Sequence, residues 1–332
     1  MGSMQVQISF AQSEFAAKKR TTRREKFLAQ MEEVVPWQRL VVLIEPHYPK
    51  GVRGRPPLGL ERMLRLYFLQ QWYGLADELL EETIYDSQAM RAFSGIDLSV
   101  ESVPDATTVL KFRHLLAAHD LPRRILEEVN GHLGEHQLLL REGTIVDATI
   151  IAAPPSTKNA RKERDPQMHQ TKKGNQWYFG MKAHVGVDAH SGLVHTVAGT
   201  AAHEADVKVA HRLLHGEEQH VFADAGYTGV EKREEIVARA AAVQWHVAAK
   251  RSKLKAMAEG PLKELVVQLE KLKARVRARV EHPFHSIKNL FRIPQDARSG
   301  SGQKHGATPH ALRSGQPGAC PALPLGGRAC LR

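Results

Sequence analysis

The chain has 332 residues, with 47 Lys and Arg against 36 Asp and Glu, a formal net charge of +11 and a pI near 9.7. Hydrophobic residues make up 42%, enough for a packed core, which excludes a wholly disordered chain. The only two cysteines, Cys320 and Cys330, lie near the C-terminal end, which excludes a disulfide framework or a cysteine-zinc site in the body of the protein.

The positive excess suits a polyanion such as DNA or RNA. A membrane is the weaker partner, because no apolar run approaches the length that spans a bilayer. The first twenty residues lack the apolar block of a signal peptide, so the expected location is the cytoplasm. KKRTTRREKF, 18–27, closes a basic and flexible arm expected over 1–27. Helices are expected over 28–138. Leu60, Met63, Leu64, Tyr67 and Phe68 fall at helical spacing with one face turned inward. Asp105 precedes ATTVLKFRHLL as an N-cap. Leu121, Ile125, Leu126, Val129 and Leu133 repeat the helical pattern. A helix-turn-helix reader of DNA and a plain packing bundle fit this region equally.

The pattern changes near residue 143. TIVDATII, 144–151, is β-branched and apolar on both faces, as a buried strand is. A polar, Pro-containing loop is expected over 152–176. WYFGMKAHVGVDA and GLVHTVAGTAA flank His190-Ser191-Gly192, a hairpin signal. A helix at 206–215, a strand in HVFADAGY, a helix in KREEIVARAAA and a strand in QWHVAAK follow. A helix-rich segment at 253–291 carries Pro283, expected to kink the helix after Glu281. This order predicts one mixed α/β domain over 140–292. After Arg292 the sequence is rich in Gly, Pro, Ser, Ala and Arg and has no period. It predicts a disordered tail at 293–332, and a shift of reading frame near residue 294 would account for the change.

Three acids stand out. Asp147 sits inside TIVDATII, where a carboxylate is costly to bury unless it is paired or binds a metal. Asp224 ends HVFAD, at the carboxyl end of a strand, where ligands bind in α/β sheets. Glu281 follows Arg275, Arg277 and Arg279 in RVRARVEHPFHSIKNLF. Read singly, Asp147 bonds a nearby amide, Asp224 caps a turn and Glu281 pairs with Arg277. Read together, three carboxylates that converge repel one another unless cations join them. Hard oxygen ligands suit Mg²⁺ or Mn²⁺, and two such ions serve in-line attack at a phosphodiester. Lys182 and His184, on WYFGMKAHV, are candidate phosphate contacts or one solvated face of an alternating strand. The HEAD stretch at 203–206 reads as a helix start, and Trp245 as a core residue or a base-stacking one.

GTIVDATIIAAPPSTKN, KKGNQWYFGMKAHVGVD, HVFADAGYTGV, RVRARVEHPFHSIKNLF and, before them, RGRPPLGLERMLRLYFLQQWYGL and PDATTVLKFRHLL resemble the DDE transposases of bacterial insertion sequences, in the group named after insertion sequence five. The resemblance covers roughly residues 30–292 and is carried by several long motifs in the correct order. It implies an α/β, RNase H-like catalytic domain behind an all-helical DNA-binding or dimerisation domain. It implies Asp147, Asp224 and Glu281 as catalytic metal ligands for two Mg²⁺, with Mn²⁺ as a substitute. Arg277 and Lys288 match the family's signature around the glutamate as DNA contacts, while Ala274 stands where that signature has tyrosine. The implied activity is binding of terminal inverted repeats, cleavage of the element ends and joining of 3′-hydroxyls to target DNA. A homodimer on double-stranded DNA and a place on the bacterial nucleoid are implied with it. The altered tail raises a second reading, an end-binding remnant that no longer cuts, and a general RNase H-like nuclease is a third.

Overall fold

The computed structural model describes residues 19–51, 57–153, 164–240 and 242–290. The tail expected at 293–332 and residues 1–18 of the expected arm lie outside the described residues. The chain forms two compact units, one through Ile125 and one from Leu126.

The first unit is helical: α1 (Arg23–Val34), α2 (Trp37–Ile44), α3 (Leu60–Tyr73), α4 (Asp77–Asp86), α5 (Gln88–Ser94), α6 (Ala106–Ala118) and the start of α7 (Leu121–Glu135). α1 opens on a capping box. The Thr22 hydroxyl accepts from the Glu25 amide at 3.2 Å and the Glu25 carboxylate accepts from the Thr22 amide at 2.6 Å. Residues 23–27 are thus helical where an arm was expected, and the Thr-x-x-Glu spacing is the signal for it. In α3, Met63, Leu64, Tyr67 and Phe68 are buried, as their spacing predicts. α3 stops at Gly74, whose φ of 60° is the left-handed conformation a helix C-terminus uses. The Asp105 side chain caps α6 by accepting from the Thr108 amide at 2.8 Å. Arg65 locks the helices together: it lies over the rings of Trp37 and Phe93 and pairs with Glu32 and Glu61.

The units divide inside α7, earlier than the boundary expected near 138. The second half of the helix belongs to the sheet unit, because Asn130 Nδ2 donates to the His195 carbonyl at 3.0 Å. The second unit is built on β1 (Gly143–Ala152), β2 (His169–Lys173), β3 (Gln176–Asp188), β4 (Val194–Ala201), β5 (His220–Ala223) and β6 (Gln244–Val247). The sheet runs β2-β3-β1-β5-β6, with β4 also paired to β3. β1, β2 and β4 run antiparallel to β3, and β1, β5 and β6 run parallel to one another. A helical region followed by a mixed sheet with helices is the α/β, RNase H-like arrangement.

β2 lies inside the stretch expected to be loop. HQTKK offers no apolar alternation to read, and the Gly174 turn behind it is the only cue. The helix expected over 206–215 is α8 (Asp206–Val209) with a 3₁₀ turn, Ala210–Arg212. Beyond it the Glu218 carboxylate accepts from the amides of His215 and Gly216. After α9 (Glu234–Ala240) and α10 (Arg251–Lys255) comes α11 (Pro261–Arg277), then a 3₁₀ turn, Ala278–Val280, and α12 (Glu281–Leu290). The break expected after Glu281 therefore precedes it. Pro283 is the third residue of α12, in the first turn, where a missing N–H costs nothing. No described helix is long and apolar enough to cross a membrane.

Candidate active site

The two faces of β1 enter different cores. Ile145 packs with Val185, Val187, Val280 and Phe284, and Val146 packs with Val209, Ala223 and Tyr227. By alternation Asp147 belongs to the Ile145 face, the one covered by the segment that carries Arg277 and Glu281. Val146 pairs with Ala223 in the parallel register of β1 and β5, so Asp147 and Asp224 are the next residues on neighbouring strands.

Asp147 is largely buried, with 19% of its side chain exposed. One carboxylate oxygen accepts from the Ala148 amide at 2.7 Å. Burial pushes its pKa up to about 6; the Asp224 and Asp206 charges push the same way, and the Ala148 bond and the Arg277 charge oppose. Arg277 Nη2 stands 3.9 Å from Asp147 Oδ2, and Arg277 Nε is buried with no partner among the described residues. Asp224 caps the 3₁₀ turn Ala225–Tyr227, accepting from the Gly226 amide at 2.8 Å. A Cβ at Gly226 would lie 2.9 Å from Asp224 Oδ1 and displace the carboxylate.

Both aspartates thus make the local bonds that a single-residue reading assigns them, and the Asp224 charge also raises the cost of ionising Asp147. Glu281 opens α12 and is exposed. Arg277 pairs with Asp147, not with Glu281, contrary to the single-residue reading of that glutamate. Among the described residues no three His, Cys, Asp or Glu side chains are gathered closely enough to hold an ion. The donors that do approach each other are carboxylate oxygens, which fit a hard divalent cation. Asp147, whose charge is disfavoured as it stands, is the group such a cation would most relieve. Lys288 lies in α12, and its side chain lies outside the described residues.

Lys182 and His184 do not form a solvated face. Lys182 Nζ donates to Asp206 Oδ1 at 2.9 Å and to the Glu204 carbonyl at 2.8 Å. His184 is fully buried, its Nε2 2.8 Å from the Thr200 hydroxyl and its Nδ1 3.9 Å from Asp206. Burial lowers its pKa to about 4, so it is neutral and withdrawn from any phosphate. Asp206 at the start of α8 reaches over this face while β4 pairs along the edge of β3, which strand alternation alone does not reveal. Trp245 packs against the Val146 core, which is the core reading.

Two residues near the aspartates escaped the sequence reading. Asp206 does start a helix, as expected of the HEAD stretch, but its charge also reaches Asp147. The Tyr227 hydroxyl is fully buried with no partner among the described residues. Burial raises its pKa well above the usual value, and Asp206, Asp147 and Asp224 add to the rise. The Asp-Ala-Gly-Tyr turn is the one sequence signal that could have pointed to this tyrosine.

Residues 139–305 match the family model described as Transposase DDE domain, and residues 15–115 match that described as Transposase domain (DUF772). No solved structure matches the chain. The DDE match covers just over half of the sequence and contains Asp147, Asp224 and Glu281, and on that ground the chain belongs to the DDE transposase family.

Proposed function

We propose that this chain is a transposase of the group named after insertion sequence five. It binds the terminal inverted repeats of its element, cleaves the ends and joins the 3′-hydroxyls to target DNA. The observation that carries the reading is the pair Asp147, in the middle of β1, and Asp224, just past the end of the neighbouring parallel strand β5, with Arg277 beside Asp147.

In this reading Asp147, Asp224 and Glu281 hold the divalent ions, Mg²⁺ or Mn²⁺. Bound there, such ions lower the pKa of a water or a 3′-hydroxyl and stabilise the leaving oxygen of an in-line displacement. The chain's own groups do the positioning. Asp147 is fixed by the Ala148 amide and Asp224 by the Gly226 amide, so neither carboxylate has to be ordered when substrate arrives. Glu281 comes from the first turn of α12, the helix whose Phe284 and Ile287 pack on the same core as Ile145 of β1. Arg277 and Lys288 bind the phosphates on either side of the reacting one. The all-helical region serves end recognition or pairing of two copies, and the division at 1–27, 28–138, 140–292 and 293–332 belongs to the same reading.

The exposed position of Glu281 favours one alternative, an end-binding relative that does not cut. DNA carrying the element's flanking repeats, incubated with and without Mg²⁺, separates the two. The proposed enzyme nicks at the repeat ends only with the ion, and a pure binder retards the DNA and leaves it whole.

A further inference from the structure

β2 and β3 form an exposed hairpin at the end of the sheet. The loop is two residues long, with Gly174 at φ 62° in its first position, the glycine placement that two-residue hairpins favour. From His169 to Phe179 the ribbon contains no acid, and Lys172 and Lys173 are both exposed. Neither lysine has an ion pair among the described residues, unlike Arg65 or Lys182. Lys172 is the cross-strand partner of Trp177, so the two side chains stand on one face. Trp177 is 65% exposed, a rare state for the largest aromatic side chain. Two positions on, Phe179 carries the Arg164 guanidinium over its ring at 5.5 Å.

An exposed ring among cations, on a ribbon without acids, is complementary to a polyanion that also offers flat apolar faces. Nucleic acid has both. A two-stranded ribbon fits the major groove of a duplex, and aromatic rings stack on bases that are unpaired. The hairpin also has a fixed relation to the acids. Trp177 lies on β3 eight residues before Val185, the cross-strand partner of Asp147, roughly 27 Å along an extended strand. One DNA molecule can therefore touch both.

Building on the transposase reading above, we propose that the β2–β3 hairpin is a DNA-binding element, with Lys172 and Lys173 on phosphates and the Trp177 ring stacked on an unpaired base near the end being cut. It adds a grip on the DNA that is separate from the residues around Asp147.

Binding of the full chain to a duplex with a short single-stranded 3′ overhang, measured by fluorescence anisotropy across a salt series, tests this. Wild type, the double variant Lys172→Ala/Lys173→Ala, Trp177→Ala and Trp177→Phe are compared. The double lysine variant loses affinity on any sequence, and its log–log salt slope falls by about two, one per lost phosphate contact. Trp177→Ala binds about tenfold more weakly and Trp177→Phe keeps most of the affinity, because stacking needs only the ring. Lys172, Lys173 and Trp177 are exposed, so these variants melt like wild type. Wild-type affinity and slope in both the lysine variant and Trp177→Ala would overturn the hairpin proposal and leave the transposase reading standing. Failure of wild type to bind the DNA at all would overturn both.

Discussion

Arg277 Nη2 faces Asp147 Oδ2 across 3.9 Å, a separation beyond a hydrogen bond but within direct electrostatic reach. The pair joins α11 to the middle of β1, residues that lie 130 positions apart in the sequence. It sets one cation against a carboxylate that burial and Asp224 both discourage from ionising. The guanidinium only partly offsets that cost, since the Asp147 pKa still stands at about 6. An acid left under-compensated in this way is suited to taking up further positive charge.

The pKa of Asp147 sets the sign of a stability effect. The folded chain holds this proton more tightly than the unfolded chain, because the pKa rises from 3.8 to about 6. Stability therefore falls as pH rises between those values and stays lower above about 6. The shift corresponds to at most about 3 kcal/mol. Asp147→Asn removes the buried charge. It should raise the melting temperature by several degrees at pH 8 in the presence of EDTA, give little gain at pH 4.5, and abolish DNA cleavage. Thermal melts at the two pH values check this, and a mutant that melts lower than wild type at both would contradict it.

Activity should follow the same group from the other side. Cleavage that uses the ionised Asp147 carboxylate rises with pH as that carboxylate loses its proton. Arg277→Gln withdraws the charge that lowers this pKa, so the rising limb of the pH–rate profile moves to higher pH. A profile unchanged by the substitution would remove Arg277 from the electrostatics of Asp147.

Gly226→Ala puts a methyl group against Asp224 Oδ1. The carboxylate must shift, and misplacement of a reacting group by about 1 Å can cost about a hundredfold in rate. Gly226 is exposed and its φ is not in the left-handed range, so the fold loses little. Single-turnover cleavage beside a thermal melt separates the effects: a large loss of rate with a melting temperature close to that of wild type is expected.

Tyr227→Phe deletes a buried hydroxyl that has no partner among the described residues. An unsatisfied buried donor costs about 1–3 kcal/mol, so the variant should be at least as stable as wild type. Denaturant unfolding measures this directly. A drop in stability would mean that the phenol does have an acceptor, with Asp206 the first candidate.

What could be read in advance followed local rules. The inward face of α3, the Asp105 cap and the apolar run of β1 each rest on spacing within one segment, and all three were legible. β2 was missed because an exposed, polar strand has no hydrophobic period. α8 is shorter than expected, and Glu218, nine residues beyond its last residue, takes the amides of His215 and Gly216, where the expected helix would have ended. The burial of His184 depends on α8 lying over one face of β3 and β4 pairing along its edge, and the reach of the Asp206 charge to Asp147 depends on the same layering. Neither leaves a mark at the residue itself. The break before Glu281 was misplaced because Pro283 draws attention, although a proline in a first helical turn is no obstacle.

In the proposed enzyme Asp147, Asp224 and Glu281 share divalent ions during cleavage. Mn²⁺ binding followed by electron paramagnetic resonance, with the full chain on DNA carrying the flanking repeats, tests it most directly when wild type is compared with Glu281→Ala. Wild type should bind the ion and cut at the repeat ends, while Glu281→Ala should bind it at least about tenfold more weakly and fail to cut. Equal Mn²⁺ affinity and equal cutting in the two proteins would place Glu281 outside the site and contradict the account.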